Sequence, residues 1–392
     1  MLRIAVVSRY FPSSAEPWQG RSAYQTIRAL NSRAHVHVFY PELDYPSFLR
    51  PRTRIYKGLD LNYSPPGVSV SYHNYLAVPL VSRPFNGPMA ARALLPHVRA
   101  FRPDLIFGIF LYPDGYAALQ LAKKLHVPLV TMGIGSDIHS IGDPLSAKYT
   151  RKVLEQADFL VTVSEDLRQK ALTMGARPET SRAVVNGCDL SIFHLRDRTE
   201  TRRHLNLDPD AESVLYIGRM DVRKGLRELV EASAKLRSAR PRLQVYVVGE
   251  GPDRSQIAQA IGSANAGEYI HTVPPCPPDE VAVWMGAANV VTLPSYMEGC
   301  PNVVLEALAC GRPVVATRVG GIPEIMSDAC GRLIPPRNAE ALTQALGEVL
   351  SAEWDASFIS AHWSRSWSTV AQELLNIFES VTSKRHTVTA QQ

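Results

Sequence analysis

The sequence lacks any apolar run approaching the roughly 18 residues needed to cross a lipid bilayer, which argues against an integral membrane protein. It has only five cysteines, at positions 188, 276, 300, 310 and 330, and none shows a paired metal-binding spacing. Their odd number is typical of free, mostly buried thiols in a reducing cytoplasm. Residues 1–8 are too short for a signal-peptide core and predict a buried first strand instead.

The net charge of +5 is small, but it is unevenly distributed. Residues 1–190 carry 22 Lys and Arg against 14 Asp and Glu. Part of this surplus lies in residues 48–57, where cations alternate with apolar and aromatic side chains. Such a segment can rest on an anionic membrane or hold a phosphorylated acceptor, or it is a solvated loop. The sequence leaves these alternatives open.

A length of 392 residues, with 45% hydrophobic and 20% charged residues, indicates a soluble globular protein of two domains. Short β-branched runs alternate with helical stretches in both halves, which predicts parallel α/β sheets. We expect domains at residues 1–190 and 191–364, a helix at about 365–382 that packs back on the first domain, and a flexible tail at 383–392. Residues 41–90 are rich in proline and tyrosine and predict loops and short strands.

The most informative segment is residues 296–317. It follows a buried strand, turns through Gly299 and Pro301, and enters a helix whose first amides have no partner within the helix. Such a helix N-terminus is a ready phosphate site. Glu298 and Glu306 flank it, and carboxylates accept hydrogen bonds from sugar hydroxyls. Taken alone, two such glutamates are more often exposed helix residues than ligand-binding ones.

A second anion-binding feature lies about 80 residues upstream in the sequence. There a strand is followed by Gly218, and then by Arg219 and Lys224 at the start of the next helix. Arginine offers a planar fork to phosphate oxygens and lysine a point charge. Together with the paired glutamates, these residues predict a site for a nucleotide-sugar.

With these motifs, the chain resembles the retaining glycosyltransferases of the GT-B fold, in the family called glycosyl transferases group 1 (family 4). Further parts of the resemblance are Gly-Ser-Asp-Ile at 135–138, Asn-Gly-Cys-Asp at 186–189, Val-Gly-Glu-Gly-Pro at 248–252 and Gly-Gly-Ile-Pro-Glu at 320–324. The resemblance covers nearly the whole length. It implies an α/β GT-B fold of two Rossmann-like, doubly wound domains that face each other across a cleft containing the active site.

The resemblance also implies roles for individual residues. Arg219 and Lys224 would bind the donor diphosphate, Glu306 the ribose, and Glu298 the hydroxyls of the transferred sugar. The backbone near Val273 would hold the base. The remaining donor-binding candidates lie in the glycine turns and at the helix N-terminus: Gly20, Arg21, Gly218, Gly299, Cys300, Pro301, Asn302 and Val303.

The first domain departs from the family pattern at two places. The family usually has a Gly-Gly pair after the first strand, which lets the donor diphosphate approach the backbone. This chain has Gly20-Arg21 there, so either Arg21 offers the diphosphate a charge or that backbone contact is altered. Phe107 and Ile109 stand where the family often has histidines. Asp137 is then the remaining polar candidate for catalysis, with a buried cap as its alternative, and Asp114 is interpreted as the cap of the following helix.

The expected activity is a metal-independent, retaining hexosyl transfer (EC 2.4 type) from a nucleotide-diphospho-sugar to a glycan, lipid-linked or small-molecule acceptor, in polysaccharide or glycolipid synthesis. No cofactor or nucleic acid is expected. No metal is expected either, since Asp208-Pro-Asp210, the Asp-x-Asp motif in the sequence, is interpreted as a turn. The expected location is the cytoplasm, with peripheral membrane contact left open. The alternatives are a nucleotide-sugar epimerase and a non-catalytic donor-binding subunit of a polysaccharide assembly complex.

Overall fold

The computed structural model describes residues 1–46, 59–78, 81–139 and 141–389, without the side chains of His362 and residues 385–389. The basic segment 48–57 therefore lies outside the described residues. The chain divides into two compact units. The first contains Met1–Asn186 and Trp367–Gln392, and the second contains Gly187–Ser366.

The first unit is built on a parallel sheet that has seven strands within the described residues, in the order β3-β2-β1-β4-β5-β6-β7. The central strands β1 and β4 are apolar and almost wholly buried, as expected for a sheet covered by helices on both faces. The strands are β1 (Arg3–Val7), β2 (His35–Asp44), β3 (Ser69–Leu76), β4 (Leu105–Ile109), β5 (Leu129–Gly133), β6 (Phe159–Thr162) and β7 (Ser181–Ala183).

Helices connect these strands. They are α1 (Arg21–Asn31), α2 (Asn86–Phe101), α3 (Tyr116–Leu125), α4 (Ser136–His139), α5 (Pro144–Gln156) and α6 (Glu165–Thr173). The final helix of the chain, α15 (Trp367–Thr389), also belongs to the first unit. The centre of its Phe378 ring lies 5.1 Å from that of Phe107, and Ser368 accepts a hydrogen bond from Arg33, which lies just after α1.

Residues 383–389, which the sequence predicted as part of a flexible tail, continue α15 as helix. The polar composition of the tail suggested an irregular segment. However, a helix already anchored by packing extends readily, because each further residue adds a hydrogen bond without a new nucleation step.

The second unit is built on a parallel sheet with six strands among its described residues, in the order β10-β9-β8-β11-β12-β13. The strands are β8 (Glu212–Ile217), β9 (Leu243–Val248), β10 (Ile270–Val273), β11 (Val290–Leu293), β12 (Val314–Thr317) and β13 (Gly331–Ile334). The helices are α7 (Arg198–His204), α8 (Leu226–Arg237), α9 (Arg254–Ser263), α10 (Pro278–Ala287), α11 (Asn302–Ala309), α12 (Ile322–Ile325), α13 (Ala339–Ser351) and α14 (Ala356–His362).

Each sheet contains a point where the direction of strand addition reverses. In the first sheet the point lies between the neighbouring strands β1 and β4, and in the second between β8 and β11. Loops that leave the carboxyl ends of such a strand pair diverge and open a crevice, which is where doubly wound sheets bind ligands. Both crevices carry the polar side chains described below.

The described part of residues 41–90 contains more regular structure than expected. β3 is an eight-residue edge strand that pairs with β2 along its whole length, and α2 begins at Asn86. Most side chains of β3 are exposed or half-buried. A strand with so little apolar pattern cannot be predicted from its own sequence, because its pairing with β2, rather than the hydrophobicity of its residues, specifies it.

All five cysteines are free thiols, and four of them are buried, which confirms the expectation from their number and spacing. Within the ranges that the structure describes, none of the helices has the length and apolar character to span a bilayer.

Candidate active site

The crevice of the second sheet begins with the loop that follows β8. Gly218 donates its backbone N–H to the Val248 carbonyl, and the Tyr216 hydroxyl donates to the Arg219 carbonyl. These contacts fix the backbone at Gly218 and Arg219, where the first candidate cation lies. The loop then forms a short 3-10 turn, Val222–Lys224, before α8 starts.

Asp221, which was not among the sequence-predicted site residues, organises this turn. It accepts hydrogen bonds from both the backbone N–H and the guanidinium of Arg223. The side-chain hydrogen bonds from Arg223 hold the pKa of Asp221 well below its usual range. Arg223 is therefore paired within the loop. In contrast, the exposed side chain of Arg219 has no hydrogen bond or ion pair to any described residue.

The loop after β11 forms the other side of the crevice. Tyr296 donates its backbone N–H to the Arg223 carbonyl at 2.8 Å, and its hydroxyl donates to Glu228 at 2.7 Å. The Arg337 guanidinium lies 4.7 Å from the centre of the Tyr296 ring. The tyrosine thus fastens the β11 loop to the β8 loop and to α8.

One ion pair connects the two loops across the crevice. Lys224 Nζ lies 2.7 Å from Glu298 Oε1, with 28% and 11% of the two side chains exposed. The residues are 74 positions apart in the sequence. A lysine has three donor protons, so Lys224 keeps two for a ligand while Glu298 fixes its direction.

The helix N-terminus expected from the sequence lies beside this pair. α11 begins at Asn302, after Pro301, which has no side chain that could cap the helix. The Val304 N–H donates to the Pro301 carbonyl at 3.2 Å, and the helix dipole at this end of α11 favours an anion. Val303 lies in that first turn, and Glu306, half-buried, lies one turn further along α11.

The other donor-binding candidates of the second unit are part of the same framework. The Gly299 carbonyl accepts from the Gly321 N–H at 2.8 Å, and Cys300 is buried immediately before the helix. Val273 ends β10, and its carbonyl accepts from the Gly249 N–H at 3.0 Å. The candidates of the second unit are thus gathered around the carboxyl ends of β8, β10 and β11.

Gly20, Arg21 and Asp137 belong to the first unit. Gly20 has φ +63° at the end of the loop that leads from β1 to α1, and a Cβ there would lie 2.3 Å from the Tyr10 carbonyl oxygen. Only glycine fits so close an approach. The Arg21 guanidinium lies 5.5 Å from the centre of the Trp18 ring, so its charge is held against that indole.

Asp137 is buried, and backbone amides surround its carboxylate. Oδ1 accepts from the N–H of Ile134 and Gly135, and Oδ2 accepts from that of Leu111 at 2.9 Å. Burial raises the pKa of Asp137 above its usual value, although these amides oppose the shift. The geometry therefore favours the structural alternative, in which Asp137 caps loop backbone, and its catalytic role stays a prediction.

The interpretation of Asp114 as a helix cap is wrong. α3 follows Gly115, and no side chain caps it. Instead, Asp114 Oδ2 accepts the backbone N–H of Arg9 at 2.6 Å, which joins the loop after β4 to the loop after β1. These residues are 105 positions apart, so no local pattern could have shown the contact.

Ile109 and Phe107, at the positions where histidines are common in the family, are both completely buried in the first sheet. They pack in the core, and neither supplies a group that could carry a proton.

Comparison with known proteins identifies the family of this chain. A profile described as "Glycosyl transferases group 1" matches residues 211–352, and one described as "Glycosyltransferase Family 4" matches residues 19–192. A D-inositol 3-phosphate glycosyltransferase of Catenulispora acidiphila is 33% identical over 298 residues, which are 68% of this chain and 70% of that protein. The chain belongs to the glycosyl transferases group 1 family.

Two further similarities agree with this assignment. A protein named for teichuronic acid biosynthesis, the TuaC glycosyltransferase of Bacillus subtilis, is 28% identical over 359 residues, 88% of each chain. The structure of Anabaena Alr3699/HepE in complex with UDP-glucose matches 99% of this chain and 100% of its own, with a TM-score of 0.70 and 16% identity. The protein is a glycosyltransferase with two parallel-sheet domains of the GT-B type.

The position of Glu298 in this glycosyltransferase depends on Gly320. Gly320 has φ +54°, and a Cβ there would lie 1.9 Å from the Glu298 carbonyl oxygen. We expect Gly320→Ala to displace the β11 loop and to lower the free energy of unfolding by about 2–4 kcal/mol. Denaturant unfolding and calorimetric titration with UDP measure both effects, and UDP affinity should fall as well.

Gly262→Ala is the matched control, since Gly262 lies in α9 and a Cβ there meets no atom within 4 Å. It should leave UDP affinity unchanged and stabilise the helix slightly. Unchanged stability and UDP affinity in Gly320→Ala would show that this backbone contact does not position Glu298.

Across the described ranges, no group of three or more His, Cys, Asp or Glu side chains is arranged to hold a metal ion. Asp208 and Asp210 form a turn, in which Asp208 accepts the Asp210 backbone N–H.

Proposed function

We propose that this glycosyltransferase moves a hexosyl group, with retention of configuration and without a metal ion, from a nucleotide-diphospho-sugar to an acceptor in cell-surface polysaccharide or glycolipid synthesis. The observation that carries the proposal is the Lys224–Glu298 ion pair, which holds the Lys224 ammonium against a carboxylate four residues before α11 begins. The names of TuaC and of the structure with UDP-glucose support this acceptor class and a UDP-linked donor.

The chemistry follows from charge. When the glycosidic bond to the donor phosphate breaks, negative charge develops on the leaving diphosphate. Lys224, whose direction Glu298 fixes, together with Arg219 and the dipole of α11, would stabilise that charge, as a divalent ion does in other transferases. Glu298 both directs Lys224 and offers its second oxygen to a sugar hydroxyl. The leaving phosphate oxygen accepts the acceptor proton on the same face, so a protein nucleophile is not required.

Labelled UDP-glucose and UDP-galactose, incubated with the protein and excess EDTA, test this function. We expect slow release of labelled sugar without an acceptor, faster transfer with one, and an α-linked product by NMR. A requirement for added magnesium or manganese would disprove the metal-independent mechanism, and a β-linked product would disprove retention. Binding of UDP-sugars with no turnover, with or without a range of acceptors, would favour the non-catalytic donor-binding subunit.

A further inference from the structure

The loop after β8 and the loop after β11 touch on both sides of Lys224. Gly225, which follows the lysine, has φ +69°, and a Cβ there would lie 2.0 Å from the Pro294 carbonyl oxygen. The carbonyl of Arg223, which precedes the lysine, accepts the Tyr296 backbone N–H at 2.8 Å. Both neighbours of Lys224 are therefore in direct contact with the backbone of the β11 loop, and only glycine fits the closer of the two contacts.

The side chain of Tyr296 adds a third contact between the loops. Its hydroxyl donates a hydrogen bond to Glu228 Oε1 at 2.7 Å, and Glu228 lies in the first turn of α8. A hydrogen bond to a carboxylate is roughly twice as strong as one between neutral groups. Burial, together with this hydrogen bond, raises the pKa of Tyr296 to about 12. Near neutral pH the phenol therefore keeps its proton and remains a donor.

The ring of Tyr296 is also held from the loop after β13. The Arg337 guanidinium lies 4.7 Å from the centre of the ring, a distance at which a cation is attracted to an aromatic face. Arg337 itself has φ +57°, which residues other than glycine adopt rarely. The ring is thus held at its face by Arg337 and at its hydroxyl by Glu228.

These contacts bear on the geometry of the Lys224–Glu298 ion pair. Glu298 lies two residues after Tyr296, and its Oε1 is 2.7 Å from Lys224 Nζ. A shift of the β11 loop against the β8 loop would change this separation and turn the ammonium away from its present direction. Misplacing a reacting or stabilising group by about 1 Å can lower a rate by about 100-fold.

We propose that Tyr296 and Glu228 are positioning residues of the reaction. The hydrogen bond between them fixes the β11 loop against the β8 loop, and thereby holds the Lys224 ammonium where the leaving diphosphate develops its charge. The proposal rests on the transferase function above. It extends that function to two residues that have no assigned contact with the donor and act on it only through Lys224.

The first experiment compares kcat with UDP affinity. Tyr296→Phe keeps the ring beneath Arg337 and removes only the hydroxyl. We expect kcat for labelled UDP-glucose or UDP-galactose to fall on the order of tenfold, and the affinity for UDP, measured by calorimetry, to stay within about twofold. Glu228→Ala should have the same effects. Glu228→Gln retains an oxygen that can accept the phenol proton, and its kcat should stay near that of the wild type.

A second experiment asks whether the effect passes through Lys224. Tyr296→Phe is introduced into the Lys224→Ala protein, where it should lower kcat no further, because the group that it positions is already absent. Tyr296→Phe combined with Glu228→Ala should lower kcat no more than either change alone, since both remove the same hydrogen bond. Single-turnover kinetics measure these variants, and urea unfolding shows that each is folded.

Two controls match the substitutions. Tyr269→Phe also removes a hydroxyl from a ring that an arginine covers, since the Arg237 guanidinium lies 5.0 Å from its centre, but Tyr269 directly precedes β10 at its amino end. Glu231→Ala removes a carboxylate of α8 that pairs with Lys235 at the surface. Both variants should keep the wild-type kcat.

Several results would overturn the proposal. They are a wild-type kcat in Tyr296→Phe or Glu228→Ala, a loss of UDP affinity as large as the loss of kcat, a Glu228→Gln variant as slow as Glu228→Ala, or a further loss when Tyr296→Phe is added to Lys224→Ala. Any of these, with turnover by the wild-type protein, overturns this proposal alone. If the wild-type protein turns over neither sugar nucleotide, the transferase function and this proposal fail together.

Discussion

Replacing Lys224 or Arg219 by alanine should reduce turnover of the nucleotide-sugar by about two to three orders of magnitude, because each substitution removes a cation that would stabilise the leaving diphosphate. The two variants should differ in stability. Lys224→Ala leaves Glu298, of which 11% is exposed, without its ion-pair partner, and we expect a loss of about 1 kcal/mol. Arg219 is exposed and has no described partner, so Arg219→Ala should unfold at the wild-type denaturant concentration.

Lys235→Ala provides the control for removing an ion-paired lysine. Lys235 lies on α8 in the same unit and pairs with Glu231 and Glu340, at the surface. Its turnover should equal that of the wild type. Single-turnover kinetics with labelled donor give the comparison, and either cation variant that keeps most of its turnover would remove that residue from the diphosphate site.

Asp137→Asn should destabilise the first unit while leaving the affinity for UDP unchanged. The carboxylate accepts three backbone N–H groups on its two oxygens. The asparagine amide has one oxygen, so at least one buried N–H would face an NH₂ group. We expect a loss of about 2–3 kcal/mol in the free energy of unfolding, measured with urea.

Asp104→Asn serves as the control, because the Asp104 carboxylate accepts the backbone N–H of Arg3 in a position exposed to solvent. It should change the free energy of unfolding by less than about 1 kcal/mol. If Asp137→Asn instead keeps its stability and loses most of its turnover, Asp137 has the catalytic role that the sequence suggested. A variant with unchanged stability and turnover would exclude both roles.

The sequence by itself determined the strands at the centre of each sheet. β1, β4, β8, β9 and β11 lie in the short apolar runs whose alternation with helical stretches predicted parallel sheets. Parallel central strands are buried on both faces, so the apolar run is a sufficient local signal. The loop and helix containing Glu298, Pro301 and Asn302 could be predicted for the same reason, since a helix N-terminus is specified by a few consecutive residues.

The tertiary structure decided which loops meet. Lys224 contacts Glu298 over 74 residues, and Asp114 contacts Arg9 over 105. Both contacts arise where strands distant in sequence become neighbours at the reversal of strand order. Burial then decided the environment of the carboxylates. Both Asp114 and Asp137 are enclosed. Backbone amides occupy both oxygens of Asp137, whereas Asp114 Oδ1 has no hydrogen-bond partner among the described residues. Sequence spacing carries no information on this difference, because desolvation and hydrogen bonding depend on what the folded chain packs around each group.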